Sequence, residues 1–155
     1  MKEARELVHG TCVALGKRAA LLRGPSGAGK SDLALRFLAL PGDGEHRPLL
    51  VADDQVFVTP NGNCELVASA PHTIAGRIEV RGVGIVEVPS LAQAEVTLVC
   101  DLVGAGVVPR LPPEPWERTL IAGVQVRRLK LDPFEPSAPL KLKMALLWAG
   151  GDIPK

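Results

Sequence analysis

The chain has 155 residues, and 18 basic against 17 acidic side chains leave a formal charge of +1. That length fits one domain, residues 1–155, and the even charge lacks the broad positive field of a nucleic-acid binder. Three cysteines, Cys12, Cys64 and Cys100, are odd in number and far apart, which points to reduced core thiols rather than a disulfide framework or a zinc site. The start, "MKEARELVHG", has charges and no apolar stretch of a leader, and no run approaches the ~18 apolar residues of a membrane span, so a cytosolic protein is expected.

In chain order, "RAALLRG" is a short apolar run closed by Gly24, and "SDLALRFLAL" sets Leu33, Ala34, Phe37 and Leu38 at helical spacing. Pro41, Gly42 and Gly44 end that helix. "LLVADD" and "QVFVT" read as strand, and "NGN" turns the chain into "CELVAS" as a hairpin. A short helix is predicted near Pro71. "RIEVRGVGIVEV" alternates apolar and charged residues around Gly82 and Gly84, and "EVTLVCDLV" is a continuous apolar run suited to a central strand. "LPPEPWE" is a proline-rich loop, "GVQVRRLKL" alternates like an exposed strand open to subunit contact, and "APLKLKMALLWAG" closes the chain as a helix. The predicted class is α/β with a mixed sheet.

The strongest chemical signal is "GPSGAGKS": Gly24, Pro25, Ser26, Gly27, Ala28, Gly29, Lys30 and Ser31 fit G-x-x-x-x-G-K-[ST] between a strand and a helix. Gly27 and Gly29 let backbone N–H groups turn inward, and the helix N-terminus adds partial positive charge, so the loop cradles phosphate oxygens. Lys30 is placed to reach the β- and γ-phosphates of ATP, and the Ser31 hydroxyl to ligate Mg²⁺.

"LLVADD" ends an apolar run on two adjacent acids, Asp53 and Asp54, which are costly to desolvate unless a cation meets them. The Mg²⁺ beside a phosphate loop is that cation and accounts for one acid. The other is left to accept, or to orient, the proton of an attacking hydroxyl.

Taken in order, "HGTCVAL", "GPSGAGKSDLAL", "LVADD" and "IEVRGVGIVEV" resemble the catalytic domain of HPr kinase/phosphorylase, from about His9 to Val88. The resemblance implies phosphorylation of a serine on the phosphocarrier protein HPr, a phosphate-loop kinase fold related to phosphoenolpyruvate carboxykinase, and a hexamer. It implies that His9 lies near the transferred phosphoryl group. Asp54 is implied as proton acceptor, Asp53 as a carboxylate on the Mg²⁺ side, and Glu79 as a second Mg²⁺-associated acid. Arg110 in "VPRLPP" matches the family's catalytic arginine loosely, with Arg118 as a rival, and Arg81 could neutralise phosphate or pair with an acid.

The chain begins almost at the histidine, like a short form without the regulatory domain of bifunctional members. The family's later basic loop, tied to phosphorolysis, is here "LDPFEPSAPLKLK", so the kinase direction is the safer expectation. A small-molecule or nucleotide kinase would call for an arginine-rich lid, for which "VRRLK" is the one candidate. A GTP-driven switch is suggested by "DLVG", but no N-K-x-D follows it.

Overall fold

The computed structural model describes residues 5–113 and 116–149. Strands β1 (Glu6–His9), β2 (Thr11–Leu15) and β3 (Arg18–Arg23) come first, then helix α1 (Lys30–Leu38), β4 (Pro48–Ala52), β5 (Gln55–Pro60), β6 (Leu66–Ser69), β7 (Arg77–Val80), β8 (Gly84–Glu87), β9 (Gln93–Leu102), β10 (Arg118–Ile121), β11 (Val124–Leu131) and α2 (Ala138–Ala149).

Nine strands form one mixed sheet in the order β1-β5-β6-β9-β3-β2-β4, with β11 on β9 and β10 on β11. The β3–β9 and β9–β11 pairs are parallel and the others antiparallel. One edge of β9 is shared: β6 takes its first residues, Gln93 to Glu95, and β11 takes Leu98 to Leu102.

β2 is buried at all five positions, because both of its faces are covered. Side chains alternate across a strand, so Val13 and Leu15 join Ala20 and Leu22 of β3 beneath Leu33 and Phe37 of α1 and Leu142 and Leu146 of α2. Cys12 and Ala14, with Ala19 and Leu21, enter a second core with Val56, Val58, Leu66 and Ala68. The sheet curls until β5 and β6 pack over β2 and β4.

The mixed α/β class, the β5–β6 hairpin, the short turn of helix at His72–Ile74 and the central position of β9 agree with the sequence reading. Asn61 fixes the hairpin, its Oδ1 accepting from the N–H groups of Asn63 at 2.9 Å and Glu65 at 3.1 Å. "DLVG" is the end of β9 followed by a turn.

Two expectations change. β11 is not a simple open edge, since β10 pairs with Val124 to Arg127 and β9 with Arg127 to Leu131; alternation in its first four residues reports only their inward and outward faces. Cys64 is exposed, whereas Cys12 and Cys100 are core residues. Burial pushes both of those thiols up, Cys100 to about 12, which leaves them unreactive. In addition, β7 and β8 form a two-stranded hairpin outside the main sheet, seated by Ile78 in the helix-side core. Glu114 and Pro115 of the proline-rich loop and Gly150 at the end of the closing helix lie outside the described residues. No described helix is long and apolar enough to cross a membrane.

Candidate active site

The site forms at one end of the sheet. β3 delivers Gly24 there, and two antiparallel steps, β3 to β2 and β2 to β4, restore the direction, so Asp53 after β4 arrives at the same end. The loop Gly24 to Gly29 joins β3 to α1, and Gly29 takes the left-handed conformation (φ 96°) as the helix starts, which a side chain would strain. The Lys30 ammonium, only 7% exposed, donates to Gly24 O at 2.7 Å and Pro25 O at 3.0 Å. Lysine has three donors, so one remains for a ligand oxygen.

The two acids occupy different environments. Asp53 is 7% exposed, and its Oδ1 accepts from Ser31 Oγ at 2.7 Å and from the buried Thr11 Oγ1 at 3.0 Å. Asp54 is 69% exposed by side chain, and its Oδ1 is 3.5 Å from His9 Nδ1, an ion pair when the imidazole is protonated. The backbone makes the difference. Asp54 has φ 69°, and the Gln55 N–H reaches back to Asp53 O at 2.8 Å, closing a tight and strained γ-type turn. That turn aims neighbouring side chains apart, one into the wall and one into the open cleft. Gly10 N–H fastens it from β1 by donating to Asp54 O at 3.1 Å. A side chain at position 10 would meet Leu22 O at 2.9 Å, so glycine follows His9 for want of space.

A cleft of about 500 Å³ unites these groups: His9, Ser26, Gly27, Gly29, Lys30, Ser31, Asp53 and Asp54 line it, with Glu79, Val80 and Arg81 of the β7–β8 hairpin opposite. Thr11, Asp32 and Leu35 complete the wall. Thr11 escaped the sequence reading; its only signal is a hydroxyl heading the buried run "TCVAL". For Mg²⁺, an all-oxygen set of Ser31, Asp53 and Glu79 has the right chemistry. No group of three or more His, Cys, Asp or Glu able to hold a metal occurs among the described residues.

Neither arginine matched to the catalytic position reaches this cleft. Arg110 follows the turn after β9 and lines a separate cavity of about 220 Å³ beside β11 and α2, while Arg118 opens β10 and lines a third groove with Glu65 and Glu95. The arginine in the cleft is Arg81.

Next to the loop, β3, β9 and β11 each contribute one member of an unforeseen charge cluster. Arg23 donates to both Asp101 oxygens, at 2.8 and 3.0 Å, and Arg128 Nε donates to Oδ2. Burial works against the Asp101 charge, but the hydrogen bonds from Arg23 and Arg128 outweigh it and hold the carboxyl below its ordinary range. The residue before the phosphate loop is thereby clamped to the centre of the sheet.

The profile of the HPr Serine kinase C-terminal domain family matches residues 2–102. The chain belongs to that family. The match covers β1 through β9, beyond the Val88 limit of the motif-level resemblance. HPr kinase/phosphorylase of Clostridium tetani is 37% identical over 111 residues, 72% of this chain and 33% of its own length. The protein of the same name from Exiguobacterium sibiricum is 36% identical over 102 residues, 61% of this chain and 31% of its own. The chain thus spans about a third of the length of these curated relatives. Among solved structures, the Hpr(Ser) kinase/phosphatase of Coxiella burnetii superposes with a TM-score of 0.73 at 27% identity, covering 95% of this chain and 94% of that one.

Proposed function

We propose that this chain is a single-domain protein-serine kinase of the phosphate-loop class, using ATP and Mg²⁺ to phosphorylate a serine of HPr. The observation that carries the reading is the pairing of a phosphate loop with two differently housed acids around one cleft, in a member of the HPr serine kinase family. The kinship with phosphoenolpyruvate carboxykinase rests on the family resemblance.

In this reading the loop amides and Lys30 hold the nucleotide phosphates, and Ser31, Asp53 and Glu79 hold the magnesium ion, which when bound neutralises phosphate charge. Thr11 and Ser31 fix the Asp53 carboxylate so that it does not compete for the incoming hydroxyl. The substrate serine oxygen attacks the γ-phosphorus in line. As the new O–P bond forms, the bond to the β–γ bridging oxygen breaks, its electron pair leaves with ADP, and the hydroxyl proton passes to Asp54. His9 orients Asp54, and Arg81 faces the transferring group from the hairpin. Arg110 has no part within this chain's own cleft.

The forward direction is favoured. Reversal brings phosphate against phosphoserine, and residues 131–140, "LDPFEPSAPL", offer two acids and no lysine or arginine to offset that repulsion. Glu135 there is moreover engaged with Lys141. The family resemblance also supports a hexamer, for which the exposed Leu140, Met144 and Trp148 along α2 offer an apolar face.

The test is to supply γ-labelled ATP and Mg²⁺ with HPr and, separately, with a panel of nucleosides and small metabolites. Label on an HPr serine is expected. Label on a small molecule alone would overturn the reading.

A further inference from the structure

Within the kinase reading, on which this inference rests, the phosphate end of the nucleotide is placed but its base is not. The γ end must lie where Lys30 and Ser31 face Asp53 and Asp54, on the β2–β4 side of the loop. The nucleoside must leave by the other flank, where β9 and β11 end. On that flank stands Phe134, 68% exposed.

Single exposed apolar side chains are ordinary, and Val83 and Ile85 on the β7–β8 hairpin are no less exposed. Phe134 differs in two respects. First, its ring touches the phosphate loop: a Cβ built on Gly29 would lie 3.2 Å from both Cε1 and Cζ of the ring. Second, its backbone is pinned at both sides. Arg36 of α1 donates to Pro133 O and, at 3.3 Å, to Glu135 O, and Asp132 Oδ1 accepts from Phe134 N–H at 3.0 Å. Arg36 is itself held by Asp32, Nε to Oδ2 at 3.0 Å. The backbone that carries the ring is thus tied to α1, through Arg36 in its last turn and Asp32 in its first, so little backbone freedom is lost when a ligand meets it. A cavity of about 220 Å³ begins beside it, lined by Val108, Pro109, Arg110, Asp132 and Glu135.

We propose that Phe134 is the stacking platform for the nucleotide base, with Gly29 kept small so that the ring can close on the loop. Stacking on a π-face is tolerant of base identity, so adenine and guanine nucleotides bind with similar affinity and phosphate contacts supply most of the rest.

The experiment measures binding of ATP and of tripolyphosphate, which has the phosphates and no base, to the wild-type chain and to Phe134→Ala and Phe134→Trp. ATP should weaken about tenfold in the alanine variant while tripolyphosphate stays within about twofold. The tryptophan variant should restore ATP affinity and show quenching by ATP, over the signal of Trp116 and Trp148, that tripolyphosphate does not produce. Unchanged ATP binding in Phe134→Ala, or equal weakening of both probes, would overturn the platform. Wild-type protein that binds both probes equally well would also overturn it and leave the phosphate-loop reading standing; protein that binds neither would remove that reading and the platform together.

Discussion

Ser31 Oγ donates to Asp53 Oδ1 at 2.7 Å, and Thr11 Oγ1 donates to the same oxygen at 3.0 Å. The start of β2, the first turn of α1 and the turn after β4 therefore meet on one atom. Thr11→Val keeps the shape and removes a donor from a buried carboxylate, which should cost about 1–2 kcal/mol. Urea unfolding should show a lower midpoint with an unchanged slope. A larger loss of phosphoryl transfer than of stability is also expected, since Asp53 is then held by Ser31 alone.

Lys30→Ala and Asp54→Asn should fail in different ways. The alanine variant should lose nucleotide affinity, whereas the asparagine variant should bind ATP almost normally and turn over about 10²–10⁴-fold more slowly. Titration calorimetry beside single-turnover transfer separates the two. Near-normal turnover in Asp54→Asn would move proton acceptance to Asp53 or water.

Asp54→Gly is a sharper companion. Glycine adopts φ 69° without strain, so thermal stability should hold or rise slightly while transfer is lost as in the asparagine variant. A clear fall in melting temperature would mean that the His9 contact outweighs the strain in that turn.

The Asp101 cluster predicts an acid response. Its carboxyl has a folded pKa below the unfolded value, so as pH falls the unfolded chain takes up the proton first. Its stabilisation is complete above about pH 4 and drains away as pH drops through the folded pKa. Asp101→Asn should cost about 2–3 kcal/mol at neutral pH, because two guanidinium groups lose their partner, and should flatten the stability profile below pH 4. Chemical denaturation at a series of pH values reads both effects.

Gly16 supports the connection between α1 and β4. It has φ +65°, and an added Cβ would fall 2.2 Å from the Glu45 carbonyl oxygen, so Gly16→Ala must move backbone rather than a side chain. A loss above about 2 kcal/mol is expected, with activity retained in whatever folded protein remains.

Local pattern carried much of this structure. "GPSGAGKS" between an apolar run and a helical repeat is a short-range signal, and the loop, α1 and β4 stand where it puts them. Leu33, Ala34 and Phe37 face the core at the expected spacing. The division of labour between Asp53 and Asp54 was readable as a chemical need, but not its means, because a positive φ at an aspartate leaves no mark in composition. Arg23, Asp101 and Arg128 were invisible as a group: they lie 78 and 27 residues apart, and no periodicity reports a pairing of that range. The same holds for β11, whose alternation describes its faces and says nothing about its edges. Arg110 was aligned by a short motif match, and its position depends on the path of the loop after β9, which local residues do not determine.

The branch at β9 bears on how the molecule comes into being. β3 emerges early in synthesis, yet Arg23 must wait for Asp101 of β9, 78 residues on, and Asp101 in turn for Arg128. Loop-closure entropy must be met before such distant pairings reward it. Until β9 has left the ribosome, β3 lacks its second partner, and until β11 follows, the edge of β9 is an open template for mispairing. A nascent chain halted before residue 118 should be a ready client for chaperones, and the loop from Gly24 to Gly29 should take its shape only after the distant strand β9 has docked.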